Sequence, residues 1–195
     1  LELLRRGSRK SITIVEKGRP VEKRSCPKAK TKKCVNCKPY CNITTGFSGA
    51  GAFSDGKLSL SYEVGGDLPS LIGEDFAQEM IQYTDQIYLE FGADTKVEKE
   101  VKDIRKRAIQ AGLKLVDCPI RHLGTEKAQE IYYRIEQYLL EKGVEILFGC
   151  HCRDLIVEND VCKGAVLEDA AKQTDEQVIY AEHVIVATGR KGADW

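Results

Sequence analysis

The spacing of apolar positions divides the chain into helical and extended segments before any chemistry is considered. Leu1, Leu3 and Leu4 open a helical pattern that runs into Arg5 and Arg6 and stops at Gly7, a glycine C-cap. Ser11 to Glu16, SITIVE, is short, β-branched and bounded by Gly18 and Pro20, which predicts a buried strand. A helix ending in glycine and followed by such a strand is one step of a parallel α/β sheet. Residues 19 to 58 hold no sustained period. A loop of that length inside a domain is usually functional or disordered.

A helical period returns over residues 70 to 91. Ile72, Phe76, Met80, Tyr83 or Thr84, Ile87 and Phe91 fall three or four apart, and Gly92 closes the segment. Val97 to Ala111 reads as a second, heavily charged helix ended by Gly112, with a short strand expected at Leu113 to Val116. Thr125 to Lys142 is the clearest helix. Its stripe is Ala128, Ile131, Ile135, Tyr138 and Leu139, Thr125 stands at its cap and Gly143 at its end. Val144 to Phe148 is an apolar strand. Four short strands follow: Asp154 to Glu158, Gly164 to Leu167, Val178 to Tyr180 and His183 to Ala187. Turns at Asn159-Asp160 and Ala170 to Asp175 separate them, as in an antiparallel meander.

The fold class expected is therefore α/β: a Rossmann-like parallel sheet with an antiparallel β-meander and a helical insertion. The expected divisions are 1–60 for part of the α/β domain with a Cys-rich loop at 26–41, 61–118 for the helical insertion, and 119–195 for the rest of that domain with the meander. A chain of 195 residues is long enough to bury a core. Leu1 opens without Met inside a helical pattern and Trp195 stands just past a glycine turn, which predicts a piece of a longer protein. No apolar run reaches membrane-spanning length. No secretory leader is evident, and the cysteines are clustered; both favour reduced thiols in a cytoplasm.

The net charge of zero conceals an asymmetry. Residues 1 to 41 hold thirteen Lys and Arg against three Asp and Glu, and the rest of the chain holds seventeen against twenty-seven. A basic segment of this kind attracts a pyrophosphate, a nucleic acid or an acidic partner, or is a solvated loop balanced by acidic helices.

Four features carry candidate chemistry. Glu16 stands at the C-terminal end of the first strand, where dinucleotide-binding folds place a carboxylate against a ribose hydroxyl pair. Ala187-Thr188-Gly189 ends an apolar segment in small residues that let a ligand approach the backbone, or simply form a tight turn. The stretch GFSGAGAFSDGKL, with Gly49, Gly51, Ser54, Asp55 and Lys57, exposes backbone N–H groups suited to a phosphate, although it lacks the Lys-Ser/Thr ending of a nucleoside-triphosphate loop. Cys26, Cys34, Cys37 and Cys41, with gaps of seven, two and three, are spaced to surround one zinc ion or one iron–sulfur cluster, with free or redox thiols as the alternative. Lys28, Lys30, Lys32, Lys33 and Lys38 would stabilise their thiolates. Cys118, Cys150 and Cys162 read as buried small apolar residues.

IVEKG (14–18), VEKR (21–24), GAGAFSDGKL (49–58), RHLGT (121–125) and VIVATGRKGADW (184–195), in that order and with those gaps, resemble a family of FAD-dependent dehydrogenases within the glutathione-reductase-like flavoproteins. The resemblance covers nearly the whole chain. It implies an FAD-dependent oxidoreductase with NAD(P)H as electron donor, a small-molecule substrate and an electron-transfer partner. By position it implies that Glu16 holds the adenosine ribose and that Lys17 and Arg24 lie near adenosine and pyrophosphate. Gly49, Gly51, Phe53, Ser54, Asp55 and Lys57 would run along the pyrophosphate and flavin. Cys152 and Arg153 would pass the adenine, and Ala187, Thr188 and Gly189 would close the site. The phosphate-binding GxGxxG of that group would precede Leu1 and is not in this sequence. The family pattern does not require the four clustered cysteines, which look like an addition to it.

No residue stands out as a general acid or base. His122 in RHLGT is the best placed, with packing ahead of the helix at Thr125 as its structural alternative; His151 and His183 read as structural. The competing functional reading is a zinc-knuckle module for an anionic partner such as nucleic acid, but only Tyr40 and Phe47 accompany the cysteines, fewer aromatics than base stacking needs.

Overall fold

The computed structural model describes residues 1–98, 102–189 and 192. In chain order the elements are α1 (Glu2–Arg5), β1 (Thr13–Glu16), α2 (Lys28–Thr31), β2 (Lys57–Ser59), α3 (Leu68–Ile72), α4 (Glu74–Glu90), α5 (Lys102–Gln110), β3 (Ile120–His122), α6 (Thr125–Glu141), β4 (Glu145–Phe148), β5 (Cys150–Glu158), β6 (Val161–Asp169) and β7 (Gln177–Tyr180). Short 3-10 turns lie at Val21–Lys23 and Gly49–Phe53. The chain divides into two compact units, residues 1–50 with 135–195, and residues 51–134.

The first unit holds the parallel pair and the meander. β1 and β4 pair in parallel from Thr13 opposite Glu145 to Glu16 opposite Phe148. Parallel neighbours need a long crossover, and the chain supplies one between residues 17 and 144. β5, β6 and β7 form an antiparallel sheet in that order. Asn159 and Asp160 join β5 to β6 with φ of 50° and 61°, the left-handed pair of a two-residue hairpin whose twist matches its strands. Gly164 in β6 is required by its neighbour strand: a Cβ there would lie 2.0 Å from the Ile179 carbonyl oxygen. The core of this unit is Val21, Ile135, Leu139, Val144, Ala165, Leu167 and Ala170.

Glu136 is buried in that core, 1 % exposed. It stands on the apolar stripe of α6 beside Ile135, and its Oε2 accepts the Val21 N–H at 3.0 Å. Desolvation raises its pKa, with the Val21 hydrogen bond opposing.

The second unit is the helical insertion with a two-stranded sheet. β2 and β3 are antiparallel, Lys57 opposite His122, Leu58 opposite Arg121 and Ser59 opposite Ile120. Gly73, with φ of 84°, ends α3 and starts α4. A single continuous helix over 70 to 91 is thus replaced by two, and the stripe shifts in phase. Ala77 is the fully buried position, whereas Phe76 is 48 % exposed. On α6, Ala128 and Ile131 are buried as the period predicts.

Two expected strands do not form. Residues 113–116 are irregular with Leu113 64 % exposed, and 183–187 are irregular with Ile185 79 % exposed. Strand-like composition makes a strand only where a neighbouring edge takes up its N–H and C=O groups, and among the described residues neither segment meets one. The strand that does form nearby, β3, has the non-local β2 as its partner. The expected helix 97–111 is seen as α5; residues 99–101 lie outside the described residues, and Glu98 makes a bridge with Ile120. Cys118, Cys150 and Cys162 are half-buried rather than buried.

Two measurements test this packing. Gly164→Ala will lower stability by about 1–3 kcal/mol in urea unfolding, because β7 must move away from the added methyl. For Glu136, a folded pKa above the unfolded one means stability that is present below the unfolded value and lost as pH rises through the folded value. Glu136→Gln, which carries no charge, will therefore raise the unfolding temperature at about pH 7, and the gain will vanish near pH 4, below the ordinary glutamate value.

Candidate functional site

The C-terminal end of the parallel pair is built by backbone contacts between residues far apart in sequence. Glu16 ends β1 and its Oε1 accepts the Gly18 N–H at 2.7 Å, fixing the turn out of the strand. A carboxylate has further lone pairs to offer. Gly149 donates its N–H to the Gly18 carbonyl at 2.9 Å, so Lys17 and Gly18 run beside the step from β4 into β5. Gly18 packs on Gly46 so closely that a Cβ would lie 2.4 Å from the Gly46 nitrogen. Phe47 donates to the Arg19 carbonyl at 3.0 Å and sets its ring edge-on to Phe148, 6.5 Å between centroids.

Arg24 is the hub of this end. It is 5 % exposed, and its guanidinium donates to the carbonyls of Asn42 (2.8 Å), Phe47 (2.5 Å), Ile43 (2.9 Å) and Gly49 (2.7 Å). Burial lowers its pKa, while Glu16 and Cys41 act in the opposite sense. The planar fork of arginine suits this divergent set of acceptors, which an ammonium point charge does not match. The side chain also lies over Gly46, where a Cβ would come within 2.6 Å of its Cδ. Sequence reasoning places Arg24 beside a cofactor; the structure spends it on the loop carrying residues 42 to 49.

The glycines of the loop separate by role. Gly46 is filled by Arg24, Gly51 by the Tyr132 hydroxyl at 2.7 Å and Gly56 by the Leu123 Cβ at 2.8 Å. Gly49, with φ of 57°, meets nothing within 4 Å. Of these four, Gly49 alone has open space where a Cβ would stand, although its N–H donates to the Gly46 carbonyl at 2.8 Å and its own carbonyl accepts from Arg24.

The first unit also carries the later candidates. Cys152 lies in β5 with its thiol directed to the Asp154 carbonyl at 3.6 Å, and burial raises its pKa. Arg153 is exposed and pairs with Glu176 at 2.6 Å. Ala187, Thr188 and Gly189 are exposed, Gly189 with φ of 68°. In the motif tail, Arg190, Lys191 and residues 193–195 lie outside the described residues.

In the second unit GAGAFSDGKL and RHLGT form one structural element. Gly56 and Asp55 accept the N–H groups of Leu123 (2.8 Å) and Gly124 (3.0 Å), and β2 pairs with β3 beyond them. Ser54 Oγ accepts the Gly56 N–H at 3.0 Å. Asp55 and Lys57 pair at 2.9 Å in solvent; the hydrogen bond from Lys57 holds the Asp55 carboxyl below its usual range. Phe53 closes the 3-10 turn. His122 is exposed opposite Lys57. Arg121, absent from the expected site, is the buried member of its motif. It grips Asp85 through two bonds of 2.6 and 2.7 Å and the Asp94 carbonyl at 2.5 Å, and the Asp85 bond raises its pKa.

The four clustered cysteines are not brought together as one ligand set. Among the described residues no group of three or more His, Cys, Asp or Glu is arranged to hold an ion. Helix α2 occupies the chain between Cys26 and Cys34, and the exposed Cys34 thiol turns to Asn36 Oδ1 at 3.6 Å within its own turn. Among the described residues no cysteine forms a disulfide. No described helix is long and apolar enough to cross a membrane.

A family model described as "FAD binding domain" matches residues 38–195. The chain belongs to this FAD-binding family. Solved structures with a similar arrangement include L-amino acid deaminase from Proteus vulgaris (TM-score 0.41, 15 % identity, 86 % of this chain and 40 % of that one). THI4 from Thermovibrio ammonificans is another (TM-score 0.41, 14 % identity, 96 % and 60 %). The chain thus spans less than two thirds of either structure. No curated protein matches it.

If Arg24 organises the loop of this FAD-binding domain, Arg24→Lys will leave the four carbonyls without their fork. The segment 42–49 will then exchange amide hydrogens at least about tenfold faster than wild type, while β6 keeps its protection.

Proposed function

We propose that this chain is the FAD-binding part of an FAD-dependent oxidoreductase of the dehydrogenase type, whose flavin carries electrons between NAD(P)H and a small-molecule substrate. The observation that carries the reading is the FAD-binding family match over residues 38–195. The local geometry fits it: a carboxylate at the end of a parallel strand, and beside it a buried arginine that orders a loop with one open glycine. Bound FAD supplies the hydride and electron chemistry, and the protein positions it.

The chain's own residues divide the work. Glu16 accepts from the ribose hydroxyl pair, whose two donors suit a carboxylate. Lys17, next in the chain, offers positive charge toward the pyrophosphate. Arg24 acts one step removed, by fixing the carbonyls of 42 to 49 so that the loop keeps free space over Gly49. Gly51, Phe53, Ser54, Asp55 and Lys57 continue the same segment toward the flavin. Cys152, with Arg153, offers strand backbone to the adenine, and Ala187, Thr188 and Gly189 offer a small-residue approach. His122 is the best candidate for proton transfer by type, as an exposed imidazole opposite Lys57. The alternative, a zinc-knuckle module for an anionic partner, has no comparable family match, and among the described residues no group of three or more His, Cys, Asp or Glu is arranged to hold an ion.

The test is direct. The purified protein, titrated with FAD, will show flavin absorbance that co-elutes with it and quenched flavin fluorescence. Glu16→Ala will weaken FAD binding by about ten- to a hundredfold, the worth of hydrogen bonds to a charged group. Absence of flavin bands both as purified and after reconstitution would overturn the proposal.

A further inference from the structure

Four large exposed apolar residues of the second unit lie close together in sequence, on α3 and the first turn of α4. On α3, Leu68, Leu71 and Ile72 fall at the i, i+3 and i+4 positions of one face and are 43 %, 80 % and 36 % exposed. Phe76, on the first turn of α4, is 48 % exposed. These are large side chains in neighbouring positions, and a contiguous apolar patch on a surface marks an interaction site more often than scattered exposure does. The patch runs into a groove of about 280 Å³ shared with Leu68 and walled by Leu58, Leu60, Met80 and Ile81. That space is large enough for one apolar anchor side chain, the geometry of an interface hot spot.

The surroundings of the patch select its occupant by charge. Residues 58 to 95 contain eight Asp and Glu and no Lys or Arg. Glu63, Asp67, Glu74, Asp75 and Glu79, all exposed, stand in or beside α3 and the start of α4. Glu74 also accepts the Tyr62 hydroxyl at 3.1 Å. The lysine lining the groove, Lys57, is paired with Asp55. A nucleic acid or an anionic lipid surface would meet only repulsion here, and so would the same face of a second copy. A cationic partner would gain charge complementarity at the rim and burial at the centre.

We propose that the α3–α4 face is a docking surface for a protein partner that presents an apolar ridge flanked by lysine or arginine, with one apolar side chain seated in the groove beside Leu68. The proposal does not rest on the flavin reading, because Leu68, Leu71, Ile72 and Phe76, which carry it, are not among the residues assigned to the cofactor, and Lys57 at the groove is held by Asp55.

The probe is a synthetic amphipathic helix of leucine and lysine, with a leucine–glutamate helix of the same pattern as control, followed by fluorescence anisotropy on the whole protein. The basic helix will bind, and raising salt from about 50 to about 500 mM will weaken it by at least tenfold. The acidic helix will not bind. Leu71→Ser combined with Phe76→Ser will weaken the basic helix by at least about tenfold. Both residues are exposed, so the variant will keep its circular dichroism. Equal affinity of variant and wild type for the basic helix, or binding of the acidic helix, would refute the docking surface. Sedimentation of the protein alone adds a third outcome: a dimer that the double variant dissociates would give the face to a second copy and overturn the partner.

Discussion

Backbone that has no strand or helix of its own must find other acceptors and donors, and Arg24 is where this chain solves that problem. One buried guanidinium takes the carbonyls of Asn42, Ile43, Phe47 and Gly49 together. Without it, four carbonyls would face each other or water in a region already crowded by the Gly18–Gly46 contact. The arginine stays charged despite burial because carbonyl dipoles replace its hydration and Glu16 lies near. The free space over Gly49, the edge-on contact of Phe47 with Phe148 and the turn after Glu16 all depend on that loop holding its shape.

The insertion is held by the same device. Arg121 is 4 % exposed and grips Asp85 in a two-pronged pair, so that β3 and α4 are joined by a charge-assisted bond and not by packing alone. Breaking a buried pair by removing one partner leaves an uncompensated charge, which costs about 3–5 kcal/mol. It follows that the RHLGT motif is structural at its arginine and open at its histidine. In both units the groups most suggestive of ligand binding by type, two arginines in recognisable motifs, are occupied by the protein itself. Among the described candidates, a strand-end carboxylate, the space over Gly49 and an exposed histidine remain accessible.

Regular elements were legible because their signals are local. The stripe Ala128, Ile131, Ile135 and Leu139 marked α6, and β-branched runs marked β1 and β4. Turn chemistry marked the hairpin at Asn159-Asp160. Residues 113–116 and 183–187 read equally well as strands and are not, because a strand is decided by a neighbour that composition does not reveal. The cysteine spacing fixed no arrangement for a related reason. Gaps of two and three residues permit convergence of thiols but do not enforce it, and a short helix and a local turn took up the intervening chain. Glu136 on the α6 stripe could not be recognised as buried from its type, since its partner, the Val21 N–H, lies 115 residues away.

The sequence by itself determined the α/β class, the positions of its principal helix and parallel strands, and the motifs of an FAD-binding domain, because each of these rests on periodicity or on residue types within a short window. Only the tertiary structure decided that GAGAFSDGKL and RHLGT are one element, and that Gly46, Gly51 and Gly56 are packing positions while Gly49 is open. It also decided that Arg24 serves a loop and that the apolar face of α3 is left uncovered. These are contacts between residues tens of positions apart, and their energies come from pairing and desolvation that exist only once both partners have been brought to the same place.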